Sequence, residues 1–289
     1  MDSDTPAAPA SEASTPVPAG WDCHVHVFDA AWPALPGHYQ PVTRSLAEIE
    51  ARAAAAGIGH LVLVQPSVYG SDNSLLLRCL RDSGHRHRGV AVVNAELPDA
   101  DLDAELDRLQ SAGVRGLRFN RVSPVGLPRD PARALRRLAP RLRERGWHVQ
   151  WYVRSDDLPL LLPWQAESGL VFVLDHLAGI AAGTHDDAPC WAALVALAAG
   201  GAWIKLSGWY RLAADEPFDA IHPMLRRVAA LFAGRMVWGS DWPHTGLGSA
   251  PGLAYAATWQ PVAQALAATP TSPLAAALRH HQPQRLYGT

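Results

Sequence analysis

The sequence predicts a (β/α)8 barrel of the TIM type, an α/β fold in one domain, and three observations carry that prediction. From Trp21 onward, eight short β-rich runs alternate with longer segments of helical periodicity. Residues 20–289, which hold them, have the length of one barrel, a unit that runs to about 250 residues. Where an open doubly wound sheet would place a glycine-rich phosphate turn, the chain reads Asp22-Cys-His-Val-His26.

Taken in order, residues 1–19 hold acids, prolines, alanines and serines without a lysine or arginine. They are expected to form a disordered tail, not a secretory signal. The β-rich runs are Trp21–Phe28, His60–Gln65, Gly89–Asn94, Val114–Asn120, Trp147–Val153, Leu170–His176, Ala202–Ser207 and Met236–Asp241. Between the first two, Ser45-Leu-Ala-Glu48 is a capping box, and Gly57 stands where a helix end favours a left-handed residue. Gly113 and Gly146 hold the same place before the fourth and fifth runs, and more helix follows the eighth. No Pro/Gly-rich linker splits the body.

The charge balance is nearly even, with 25 basic and 27 acidic side chains. A nucleic-acid binder would carry a basic excess on one face, so that class is excluded. The most apolar stretch, Pro189 to Ile204, is interrupted by Gly200–Gly201 and falls short of the ~18 apolar residues a membrane span requires. Cys23, Cys79 and Cys190 form no CxxC and are an odd set, which points to a reducing, cytoplasmic setting. The expected partner is a small molecule, and a homo-oligomer stays open.

Neighbours on a strand point to opposite faces, which sorts the side chains. Asp22, His24, His26 and Phe28 share one face of the first run; Gly116, Arg118 and Asn120 share one of the fourth. The fifth offers His148, Gln150 and Tyr152, the sixth His176 with Leu174, the seventh Lys205 and Ser207, and the eighth Asp241 with Gly239. The helix-covered face must be apolar, so these polar sets face the barrel axis, mostly at C-terminal strand ends where barrel enzymes keep their active sites. His24, His26, His176 and Asp241 suit one divalent ion such as zinc or manganese. Arg118 and Arg211 suit a bidentate grip on a carboxylate. Tyr39 and Gln65 fall at mouth positions, while His85 and His87, flanked by arginines, read as a solvated turn. Lys205 is the one lysine of the chain.

The motifs Asp22-Cys-His-Val-His26, Val114-Arg-Gly-Leu-Arg-Phe-Asn120, Gly146-Trp-His148, Val173-Leu-Asp-His176 and Trp238-Gly-Ser-Asp-Trp-Pro-His244 resemble the amidohydrolase superfamily. More narrowly, they resemble its branch with 2-pyrone-4,6-dicarboxylate lactonase and sugar-lactone-processing enzymes. The resemblance runs from about Trp21 to Tyr287 and implies a distorted (β/α)8 barrel that hydrolyses a small cyclic ester. It places His24, His26, His176 and Asp241 in the catalytic cluster, and Arg118, Asn120, Arg211 and His244 at substrate. Two departures stand out. Gln150, Tyr152, Lys205 and Ser207 occupy strand interiors where a binuclear centre would carry bridging ligands, so at most one ion is expected, and the lactonases of this branch imply a metal-free site as well. Arg121-Val-Ser-Pro124 lacks a further basic residue that a dicarboxylate substrate would favour. The expected reaction is opening of a small carboxylated lactone by water that Asp241 activates as general base. The rivals are a lactone isomerase, a metal-dependent decarboxylase, and a catalytically dead binding barrel.

Overall fold

The computed structural model describes residues 19–247, 253–269 and 271–288, so residues 1–18 of the expected tail lie outside the described residues. Eight parallel strands form one sheet in sequence order: β1 (Gly20–Val25), β2 (Ile58–Val64), β3 (Arg88–Ala91), β4 (Val114–Asn120), β5 (His148–Tyr152), β6 (Phe172–Leu174), β7 (Trp203–Leu206) and β8 (Met236–Trp238). Just past β8 the sheet curls back on β1: Asp241 N donates to His24 O and His26 N to Trp242 O, both at 2.9 Å. The bridge joins β1 to the chain just past β8 at the mouth, and lower down Met236 N of β8 donates to Gln282 Oε1 of the last helical run instead.

The outer layer is α1 (Leu46–Ala55), α2 (Ser74–Asp82), α3 (Asp99–Ser111), α4 (Pro131–Glu144), α5 (Leu158–Ser168), α6 (Pro189–Ala199), α7 (His222–Leu231) and α8 (Gln260–Ala265), with a last helical run from Pro273 to Tyr287. The N-cap half of the capping box forms, with Ser45 Oγ accepting from Glu48 N at 3.2 Å, while the Glu48 carboxylate accepts from Arg52 instead. Acidic α3 lies beside arginine-rich α4 through the pairs Asp99–Arg137 and Asp103–Arg141. No helix among the described residues is long and apolar enough to cross a membrane. Cys23, Cys79 and Cys190 are free and buried.

One apolar core lies between sheet and helices. A smaller one fills the lower barrel with Trp21, Cys23, Val62, Val64, Val90, Val173, Trp203, Val237 and Tyr287. This packing corrects two face assignments. In β1, Asp22 pairs with Leu61 and Val25 with Leu63, so three steps on one strand match two on the other. That bulge turns both Cys23 and His24 inward. Asp22 therefore leaves the His24 face and takes hydrogen bonds from His24 N, Ser240 N and Tyr255 Oη. In β6 the inward set is Val173 and Asp175, not Leu174 and His176. His176 reaches the mouth because His176, Leu177 and Ala178 adopt left-handed φ of 47°, 49° and 58°. A third correction concerns His87, which is 1% exposed and bonded to Glu50 at 2.9 Å instead of solvated.

Candidate active site

The left-handed turn at Asp241 (φ 59°) lifts its carboxylate to the C-terminal mouth. Two glycines make room around it. A Cβ on Gly239 would stand 2.6 Å from His24 Cβ, and one on Gly208 would stand 2.5 Å from the His176 ring. The two oxygens of Asp241 have different lives. Oδ2 accepts from Tyr210 Oη at 2.6 Å and from Arg211 Nε at 2.7 Å. Oδ1 is buried without a hydrogen-bond partner among the described residues. It faces His24, His26 and His176 Nε2 at 3.6, 3.7 and 3.8 Å.

Burial governs the imidazoles, because desolvation disfavours their charged form. It pushes His26 down to about 3, His176 to about 4, and His24 well below its ordinary range although Asp175 pulls the other way. Burial also works against the Asp241 carboxylate, but Arg211 and the imidazoles outweigh it and hold the group well below the usual carboxylate range. At neutral pH the imidazoles are themselves uncharged, so Arg211 is the lasting counter-charge.

The donor set fits one divalent cation. His24 Nε2, His26 Nε2 and Asp241 Oδ1 form a triangle with sides of 3.3, 3.6 and 3.7 Å. Such a triangle is one face of a tetrahedron whose centre lies about 2.0–2.3 Å from each corner, against about 2.0–2.2 Å for zinc bonds to nitrogen and oxygen. His26 Nδ1 meets Val64 O at 2.7 Å, and a carbonyl only accepts, so His26 Nε2 carries a lone pair toward that centre. A second grouping of His24, Asp175 and His176 shares His24 with the first, so the two would compete for one ion.

Above this cluster opens a cavity of about 190 Å³, lined by His26, His38, Tyr39, Arg118, Asn120, Tyr152, Arg211 and Thr245 among others. The profile of the amidohydrolase family matches residues 21–289. The chain belongs to the amidohydrolase family. It is 32% identical over 246 residues to a 2-pyrone-4,6-dicarboxylate hydrolase of Comamonas testosteroni, covering 80% of this chain and 79% of that one. It is 26% identical over 230 residues to a D-galactarolactone isomerase of Agrobacterium fabrum, covering 77% and 76%. A crystal structure from Acinetobacter baumannii, named a probable 2-pyrone-4,6-dicarboxylic acid hydrolase and holding citric acid, superposes with a TM-score of 0.79 at 26% identity over 94% of this chain and all of that one.

Within this amidohydrolase barrel, most of the residues singled out in the sequence meet at the mouth. Arg118 is 5% exposed, and its contacts to Gln65 O and Asp175 Oδ2 are both long, at 3.4 Å. Its Nε has no hydrogen-bond partner among the described residues. Arg211 lines the cavity but uses Nε on Asp241 and Nη2 on Thr245 Oγ1. Tyr39 lies against Phe28 at the rim. Asn120 lines the cavity while its Oδ1 accepts from Val122 N and Ser123 N, shaping the loop. Two residues are placed elsewhere. The Gln65 side chain clamps Gly70 O and Asp72 O, and only its backbone oxygen meets Arg118. His244 sits behind Tyr210, 3.2 Å from Ser240 O. Sequence reasoning missed Asp175 and Tyr210. The alternation Val173-Leu-Asp175 signals Asp175 once Val173 is known to face inward; nothing in the loop around Tyr210 has such a period.

Proposed function

We propose that this amidohydrolase opens a small, carboxylated lactone by adding water to the ring carbonyl. The observation that carries the reading is the bare Asp241 Oδ1 under the cavity, on a carboxylate whose other oxygen is fixed by Tyr210 and Arg211. The substrate carboxylate would seat on Arg118, whose planar fork matches two oxygens and whose Nε is unpaired. The Tyr152 ring lies under that guanidinium, its centre 5.3 Å from Cζ. A water on Asp241 Oδ1 attacks the carbonyl carbon as the carboxylate takes its proton. When the ring C–O bond breaks, the proton passes from Asp241 to the leaving ring oxygen, and the product is a hydroxy acid. The Arg211 pair keeps Asp241 ionised but weakens it as a base, so its position must offset part of its low basicity. A divalent ion, zinc or manganese, held by His24, His26 and Asp241 with His176 beside them, would supply Lewis-acid polarisation of the carbonyl. His26 supports that role better than direct oxyanion binding, because its cavity-side nitrogen is an acceptor. The three buried thiols agree with a cytoplasmic setting.

The alternative reading is a lactone isomerase, in which a substrate carboxylate replaces water as nucleophile; the similarity to a D-galactarolactone isomerase favours keeping it. Titration of a panel of carboxylated lactones at constant pH separates the two. Hydrolysis releases one acid equivalent per turnover, whereas isomerisation releases none and yields a new lactone by chromatography. If no member of the panel gives either, both readings fall.

A further inference from the structure

Lys205 is the only lysine of the chain, and the reaction outlined above gives it no part. It lies on β7, fully buried, beneath the cavity and not among its lining residues. Its ammonium donates to Cys23 O on β1 at 2.8 Å and to Gln150 Oε1 on β5 at 2.7 Å. An ammonium carries three donors, and the third has Asp175 Oδ1 at 3.7 Å. Because Gln150 Oε1 accepts from Lys205, the orientation of that amide is fixed. Its Nε2 then donates to Asp175 Oδ2 at 3.0 Å. Lys205 thus acts on both oxygens of Asp175, on one by charge and on the other through the amide. Asp175 Oδ1 lies 3.3 Å from His24 Nδ1 in an ion-pair contact, and neither atom makes a hydrogen bond among the described residues. On the far side of the ring, His24 Nε2 faces His26 and Asp241.

We propose that Lys205 is a positioning residue that acts through Gln150 and Asp175 to keep the His24 proton on Nδ1, leaving the Nε2 lone pair turned to the catalytic cluster. A carboxylate behind a histidine fixes ring orientation and tautomer in this way whether the front nitrogen meets a cation or a proton. Lysine suits the place because a compact ammonium can reach three acceptors in three directions. The planar guanidinium that this chain carries at every other basic position cannot. The bearing of Lys205 on turnover rests on the lactone-opening reading; its bearing on His24 does not.

The test uses the full chain labelled with 15N in lysine and histidine. One lysine gives one Nζ resonance, and the imidazole nitrogens report the His24 tautomer directly. In the wild type, His24 is expected as the Nδ1–H form. In Lys205→Met, which keeps the length and removes the charge, that form is expected to be lost or mixed. On a lactone that turns over, kcat should fall about tenfold or more with KM nearly unchanged. In an Asp175→Asn background, the same Lys205→Met change should cost no more than about twofold, since a residue acting through another is not additive with it. An unchanged His24 tautomer in Lys205→Met overturns the proposal, and so do losses that multiply in the double variant. If Lys205→Met does not fold, Asp175→Asn alone decides: the Lys205 resonance must shift and the His24 tautomer must change, and failure of either sinks the idea. These spectra hold their meaning even if no lactone is a substrate, so the two readings fail separately.

Discussion

Replacing Asp241 with asparagine asks the site a sharp question, because the structure dictates which way the amide will turn. The Oδ2 position receives two donors, Tyr210 Oη and Arg211 Nε, so the amide oxygen must take it. The NH2 group is then forced toward His24, His26 and His176, where Oδ1 stood. It can donate to the His26 lone pair, so the packing survives. It cannot accept a proton from water. Loss of a general base costs about 10²–10⁴ in rate, so turnover should fall by at least a hundredfold. The Arg211 side chain is 19% exposed and keeps Thr245, so its lost ion pair should cost about 2 kcal/mol, with Tm falling by roughly 3 °C in a chain of this length. Acid release at constant pH gives the rate, and thermal unfolding gives the stability. Metal content must be measured on the same sample, since loss of a ligand would add to the defect. More than about a tenth of wild-type turnover in a folded Asp241→Asn chain would refute the general-base role and move the isomerase reading ahead.

Three further outcomes follow from the same geometry. Arg118→Lys should raise KM for a carboxylated lactone by about tenfold or more while Tm shifts little, since the present contacts of Arg118 are long and lysine lacks the fork; a fallen Tm with normal kinetics would make Arg118 a structural partner of Asp175. Elemental analysis of protein purified without added metal or chelator should find no more than one divalent ion per chain, and two would contradict donor groups that share His24. Stability should fall as pH drops from 6.5 toward 4, because burial lowers His148 to about 3 and His87 to about 4. The unfolded chain then binds protons that the folded one does not, a loss of about 3 kcal/mol for the two between pH 6.5 and 5; a flat Tm over that range would argue against buried neutral histidines.

Much of this architecture was legible from period and punctuation. Each of the eight β-rich runs overlaps a strand, although β1, β2 and β3 start one or two residues before theirs, and Ser45 caps α1 by accepting from Glu48 N as the spacing requires. Face assignment by alternation worked where strands are regular: Gln150 and Lys205 turn inward, as do Arg118 and Asn120. It failed for Asp22 and Asp175, for different reasons. The bulge at Cys23–His24 adds one residue to β1, and no local residue pattern announces such an insertion. In β6 the motif Val173-Leu-Asp-His176 was read as if the strand continued through the histidine, whereas the strand ends at Leu174. Gln65 was misplaced because its side chain satisfies backbone carbonyls five and seven residues ahead, a bond that depends on a turn.

These failures fall at the places where the site is built. His24 arrives through a bulge, and His176 and Asp241 arrive on left-handed backbone at φ 47° and 59°. A regular strand places side chains on one face about 6.5–7 Å apart, too far for nitrogens and an oxygen to meet within 4 Å without long side chains reaching inward. Departing from regularity closes that gap. Non-glycine residues in left-handed backbone cost about 1–3 kcal/mol each and persist only where surrounding bonds over-determine them. Those bonds are present: Asp241 N donates to His24 O, His244 N to Asp241 O, and Asp22 ties the amides of His24 and Ser240 to one carboxylate. Asp22 thus does its work from behind β1, fixing the two irregular segments that carry His24 and Asp241 against each other. The residue that alternation put in the site is the one that holds the site together from outside.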